Sequence, residues 1–231
     1  MNTFTQLKVT AFVILLSTHS IGYTKDYIVE MVFFVDINGS SANPIHIPTQ
    51  PITPDWENAI LVDGDAVTYG FIPYPEEDLV LSDQTEALNK TGRYKILKHF
   101  AWLQPGLTKE EAIPVRIHAG DSYHDEFKER PFPQTFFSSQ RQPENHFVNE
   151  LDGTITIVLG RFLHVYTDLA YRRPFKINTD SLNKPLARNH ILADFRIKSH
   201  RKMRSKELHY LDHPYLGILI EIRPANLQIE E

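Results

Sequence analysis

Arg196, Lys198, His200, Lys202 and Arg204 recur at every second position of the segment Arg-Ile-Lys-Ser-His-Arg-Lys-Met-Arg. Side chains of an extended strand alternate between faces. These five therefore share one side, and Phe195, Ile197 and Met203 share the other. The result is a cationic stripe roughly 26 Å long at ~3.3 Å per residue. Arginine grips carboxylates bidentately, and a row of like charges repels itself until an anion neutralises it. An extended anionic partner fits that chemistry. A solvated strand face, with lysines guarding a sheet edge against aggregation, uses the same residues.

Two further groups carry reactive side chains. His209, Tyr210, Asp212 and His213 lie within one short stretch that ends at Pro214. His209, Asp212 and His213, with His164, supply the ligand types of a zinc site. They can equally fix a turn, with Asp212 bonding backbone and Pro214 holding His213 extended. His164, Tyr166 and Asp168 alternate on one face of an expected strand, with Arg161 just before them. Together with Tyr210, these would form a polar groove in which aromatic faces stack on sugars and charged groups bind hydroxyls and carboxylates. Trp102 reads as core, and Trp56, in a proline-rich stretch, as the better candidate for an exposed aromatic. No Gly-x-Ser-x-Gly elbow, cysteine nucleophile, phosphate loop or dinucleotide fingerprint occurs. Carboxylates are plentiful, so a glycosidase pair stays open.

The elements that must position these groups are mostly strands. Tyr27 to Val35 is apolar on both faces, as in a central strand covered on both sides. Glu30 interrupts it and needs a partner if buried. Residues 36–86 carry six prolines, Pro44, Pro48, Pro51, Pro54, Pro73 and Pro75, a density that blocks long helices and central strands. From Asp83 to Leu103, the spacing of Leu88, Tyr94, Leu97 and Ala101 predicts helix, broken at Gly92 and stopped by Pro105-Gly106. Strands are expected at Pro114–Ala119, across Gly153–Tyr171 with a bend or hairpin at Gly160, at Ile191–Met203 and at Gly217–Arg223. Residues 120–149 and 172–189 read as loops. The fold class expected is α+β: a mainly antiparallel sheet with helices packed on one face and long proline-rich loops.

Lys8, the apolar run Val9–Leu16 and the small residues Ser20 and Gly22 predict a secretory signal peptide over residues 1–22. Residues 23–231 are then expected to form a single periplasmic domain. No later apolar run approaches the ~20 residues a membrane span needs. The chain has no cysteine, which excludes disulfides and thiolate metal sites. Residues 1–150 hold 11 Lys/Arg against 20 Asp/Glu, and residues 151–231 hold 13 against 9. The acidic front argues against nucleic-acid binding, while the basic back can steer a polyanion or an acidic partner.

Several motifs together resemble the CsiV-type peptidoglycan-binding proteins of Gram-negative bacteria. They are Tyr27-x-Val29-Glu30 with Phe33-Phe34, Trp102-x-Gln104-Pro105, and Gly160-Arg161-x-Leu163-His164. Most specific is Arg201-x-x-Arg204-x-x-Glu207-Leu208-His209-Tyr210-x-Asp212-His213-Pro214-x-x-Gly217. The resemblance implies a non-catalytic periplasmic protein that binds peptidoglycan, supports cell-wall synthesis and cell shape, and engages a lipoprotein activator of a class A penicillin-binding protein. It implies no cofactor, metal or catalytic residue. The ligand-binding candidates are Arg161, His164, Tyr166, Arg196, Lys198, Arg201, Arg204, His209, Tyr210, Asp212 and His213. A periplasmic hydrolase, metal-dependent through His164, His209, Asp212 and His213, is the alternative; a pure protein-interaction factor is another.

Overall fold

The computed structural model describes residues 25–37, 52–62, 64–123, 148–176 and 190–225. The expected signal peptide, Pro44, Pro48, Pro51 and most of both expected long loops lie outside these residues.

Nine strands and one α-helix follow in the order β1 (Asp26–Asp36), β2 (Ile72–Pro73), α1 (Ser82–Lys90), β3 (Tyr94–Pro105), β4 (Val115–Tyr123), β5 (Val148–Leu159), β6 (Leu163–Lys176), β7 (His190–Met203), β8 (His209–Asp212) and β9 (Gly217–Pro224) among the described residues. They build two sheets, β2-β3-β1-β9-β8 and β4-β5-β6-β7. Every named strand pair is antiparallel. The inner faces of the two sheets share one core. Val29, Met31, Phe33, Trp102, Ile218 and Ile220 come from the first sheet, and Ile155, Val165, Leu169, Phe195 and Ile197 from the second. Each fully buried aliphatic or aromatic chain here contributes roughly 1.5–3 kcal/mol.

The expected α+β class is overturned. The protein is a mainly antiparallel two-sheet structure, and α1 is a surface turn of helix with no buried residue. The error sits in residues 94–103, expected to be helical and found in β3. A register shift opposite Phe33/Phe34 makes Phe33 face Lys98 and Phe34 face Ile96. Leu97 is thus an extra residue, which breaks the period of two. Tyr94 and Ile96 pack on the outer side, whereas Leu97 and Phe100 pack on the shared core. Apolar residues on either side of a bulge imitate helical spacing. Gly92 at φ +62° turns the chain from α1 into β3.

β1 is central, as expected, between β3 and β9. Its outer face holds Val32 and Phe34 under Leu81, Leu88 and Tyr94. Glu30, fully buried on that face, finds four partners. Arg223 Nη1 donates at 2.8 Å, Val80 N–H at 3.0 Å and Leu81 N–H at 2.7 Å; His99 Nε2 lies at 2.9 Å. Burial opposes ionisation, but the bonds from His99, Leu81, Arg223 and Val80 outweigh it and hold the carboxyl at about 2. This carboxylate ties the 79–81 segment, and so α1, to the sheet.

A second buried charge pair positions the functional face. Arg172 and Asp194 are both buried on the outer side of the second sheet. Asp194 Oδ2 accepts the Ile52 N–H at 2.7 Å, and Arg172 Nη2 donates to the Ile52 carbonyl at 2.9 Å. One backbone residue is held by both its polar groups. Eight residues on, Ile60 bridges Val115, and the Arg116 guanidinium lies 4.4 Å from the Trp56 ring centre. The 52–60 segment is thereby laid across the second sheet and latched at both ends.

Glu30→Ala is expected to cost about 3–5 kcal/mol, because it strands buried donors; chemical denaturation reads it directly. The wild-type carboxyl is depressed from 4.5 to about 2. Its stabilisation is therefore complete above about pH 4.5 and lost as pH falls toward about 2. Glu30→Gln should flatten the stability profile in that window. Asp194→Ala removes the acceptor of the Ile52 N–H, which hydrogen exchange should report as lost protection there.

Candidate functional site

The outer face of the second sheet is built in cross-strand rows. Asp152, Ala170 and Arg196 align on β5, β6 and β7; next come Thr154, Asp168 and Lys198, then Thr156, Tyr166 and His200, then Val158, His164 and Lys202. The β6–β7 register runs without a shift from Leu163↔Met203 to Lys176↔His190. Phe195, Ile197 and Met203 are buried while Arg196, Lys198, His200 and Lys202 are exposed. The alternation expected for this stripe is therefore found, and it stands beside His164, Tyr166 and Asp168.

The stripe is less cationic than its composition. Arg196 donates through Nε and Nη2 to both Asp168 oxygens at 2.8 and 2.7 Å. Lys198 reaches the same carboxylate only at 3.8 Å. Arg204, beyond the strand end, lies 3.7 Å from Glu207. Arg201 pairs with Val165 and so belongs to the opposite face from His200 and Lys202. Lys202 Nζ sits 3.7 Å above the Phe162 ring, and Arg161, in the same hairpin tip, lies 5.7 Å from it.

Aromatic rings stand in a stack between these charges. Tyr166 and His200 are 4.4 Å apart and nearly parallel at 9°. His164 lies edge to edge with His200, ring centres 5.1 Å apart, because His164 Nδ1 and His200 Nε2 share a 2.8 Å hydrogen bond. One of the two imidazoles must donate in it. An open groove of about 470 Å³ lies beside the stack, between the sheet and the latched 52–60 segment. Its lining includes Asp55, Glu57, Thr154, Thr156, Tyr166 and Lys198. Asp55 and Glu57 carried no signal in the sequence: nothing local says that a segment distant in the chain will wall this sheet. Trp56, expected to be exposed, is 36% exposed and stacked on Arg116. Trp102 is core, with its indole N–H donated to Gln104 at 2.8 Å.

The second motif group lies elsewhere. β8 is the edge of the first sheet. Tyr210 pairs with Leu219 and Asp212 with Gly217, on the outer side of that sheet, while His209 and Leu211 align with core residues Ile220 and Ile218. Tyr210 and Tyr166 therefore face away from each other across the core. Tyr210 donates to Asp212 at 2.8 Å and stacks on Phe34 at 6.1 Å. Burial and then the Asp212 carboxylate push its hydroxyl up to about 12. A Cβ at Gly217 would meet the Phe34 ring at 2.3 Å, so only glycine lets that ring lie over the strand. His213 and Leu216 close the β8–β9 turn with reciprocal backbone bonds of 3.2 Å. The turn packs Tyr215 3.8 Å from the Phe195 ring centre and buries Leu216. Burial holds the His213 imidazole below its usual range, against the pull of Asp212. His209 Nε2 is buried 3.5 Å from a Glu207 oxygen, too poorly placed for a hydrogen bond.

The structure thus brings together Arg161, His164, Tyr166, Arg196 and Lys198, and separates them from Tyr210 and Asp212. His164, His209, Asp212 and His213 do not converge as the metal-dependent alternative requires. Among the described residues no cluster of three His, Cys, Asp or Glu could hold a metal ion, and no helix is long and apolar enough to cross a membrane.

Among curated proteins and among solved structures, nothing matches this chain. A family model described as "Peptidoglycan-binding protein, CsiV" matches residues 10–225. That match spans both sheets, the stacked rings and the β8–β9 turn, and the chain belongs to the CsiV peptidoglycan-binding protein family.

Proposed function

We propose that this protein is a non-catalytic peptidoglycan-binding protein of the periplasm, and that it holds the polymer on the outer face of its second sheet. The observation that carries the reading is the Tyr166–His200 stack, extended edge to edge by His164, beside an open groove. Murein is an extended chain of amino sugars with charged stem peptides. A saccharide ring offers an aliphatic face to an aromatic ring, and its hydroxyl and acetamido groups suit the threonine hydroxyls of the groove. Lys198 and Lys202, aligned along β7, give the same face a positive rim. Chains of this kind bind through many weak contacts, so an exposed strand face with a shallow groove suits them better than a closed pocket.

The periplasmic location rests on the signal-peptide pattern of residues 1–22 together with the family. The supporting role in wall synthesis, through a lipoprotein activator of a class A penicillin-binding protein, is what the family resemblance implies. The β8–β9 motif is assigned to construction: it packs Tyr210 on Phe34 and Leu216 into the core.

Co-sedimentation with purified sacculi tests the site, using residues 23–231 and variants whose folding is first checked by circular dichroism. Tyr166→Ala should lower the retained fraction about fivefold to tenfold, the scale of one lost aromatic contact. Tyr166→Phe should retain binding, and Tyr210→Ala, on the other surface, should leave it unchanged. Equal pelleting of Tyr166→Ala and wild type would move the site off this face; no pelleting of wild type would sink wall binding. Soluble muropeptides appearing in the supernatant would overturn the non-catalytic part. For the location, N-terminal sequencing of protein recovered from a periplasmic fraction should begin at Tyr23.

A further inference from the structure

We infer that the groove selects the peptide stem of the polymer, by a residue that carries both a free ammonium and a carboxylate, rather than the bare glycan. This rests on the wall-binding reading above and deepens it.

The groove has walls of opposite sign. On the 52–60 segment stand Asp55 and Glu57, both exposed. Neither forms an ion pair among the described residues; Asp55 Oδ1 accepts only the Glu57 backbone N–H, at 3.0 Å. On β7 stands Lys198, whose side chain is 71% exposed. Its nearest carboxylate, Asp168, is 3.8 Å away and already held by two short bonds from Arg196. Lys198 therefore keeps most of its charge for a ligand. The acidic wall is also held firmly, since Ile52 is gripped by Arg172 and Asp194 and Trp56 is stacked on Arg116.

These charges discriminate among ligands. A uniform polyanion would meet repulsion from Asp55 and Glu57. An uncharged saccharide would hydrogen-bond to the walls but neutralise the charge of neither. A group with an ammonium and a carboxylate on one short scaffold satisfies both, with Tyr166 covering its aliphatic part. Diamino acids in peptidoglycan stems have this chemistry: meso-diaminopimelate is joined to the stem through one centre and presents the amine and carboxylate of the other.

Fluorescence anisotropy with three labelled probes tests the inference on the intact mature chain. The probes are a disaccharide-tetrapeptide containing meso-diaminopimelate, the same muropeptide with its free amine acetylated, and the disaccharide freed of peptide by an amidase. Wild type should bind the first at least about tenfold more tightly than the other two, as expected for loss of a charge-assisted contact. The double variant Asp55→Asn/Glu57→Gln should bind the intact and acetylated probes alike, and should still pellet with sacculi in part through Tyr166. Equal wild-type affinity for intact and acetylated probes, or for the peptide-free disaccharide, would overturn the inference while leaving wall binding standing. Failure of wild type to bind sacculi at all would overturn both.

Discussion

One uninterrupted register between β6 and β7 holds the candidate site together. Its pairing runs from Leu163↔Met203 to Lys176↔His190 without a bulge. A slip of one residue would turn every side chain of β7 to the other face. Leu169, Val165 and Leu163 on β6 and Ile197 and Met203 on β7 forbid that slip, because all five must stay in the core. The stack of Tyr166 on His200, the Asp168–Arg196 pair and the alignment of His164 with Lys202 follow from the same constraint. Apolar burial on the inside thus fixes polar geometry on the outside.

Much of the protein's charge is spent on construction. Glu30, Arg223 and His99 tie the 79–81 segment to the first sheet. Lys95 bridges Asp121 and Glu150 at 2.9 Å each, joining β3 to the second sheet. Arg172 and Asp194 hold Ile52, and Arg116 lies between Trp56 and Asp152. Burying such charges is costly unless they are paired, and each of these lies against an opposite charge. The groove's charges differ in kind. Lys198, Asp55 and Glu57 are exposed and lightly engaged, which leaves them for a ligand.

Density of reactive residue types is a poor guide to function when the backbone has its own demands. The His209–Pro214 stretch is the richest in the chain, yet the contacts it makes in the structure build the fold. Tyr210 lies against Phe34, Gly217 makes room for that ring, and the turn sends Leu216 into the core. Asp55 and Glu57 are unremarkable in sequence and become a wall only when the 52–60 segment crosses the sheet. The helix expected over residues 94–103 failed for a related reason. A bulge at Leu97 shifts the parity of β3, and a period of two with one residue inserted mimics a helical spacing.

The sequence alone determined what short-range alternation can encode. The period of β7 separates its apolar from its basic face, the doubly apolar β1 demands a central place, and Glu30 demands partners; all three are properties of one strand. Its motifs also carried the family. Tertiary structure decided what depends on pairing between distant segments. It set which strand lies beside β7, how much of the basic stripe Asp168 neutralises, and on which surface Tyr210 points. It also brought Ile52 to Arg172 and Asp194. The physical reason is that a side chain's face is fixed by its neighbours along the chain, whereas its partners are fixed by whichever strand the shared core recruits beside it.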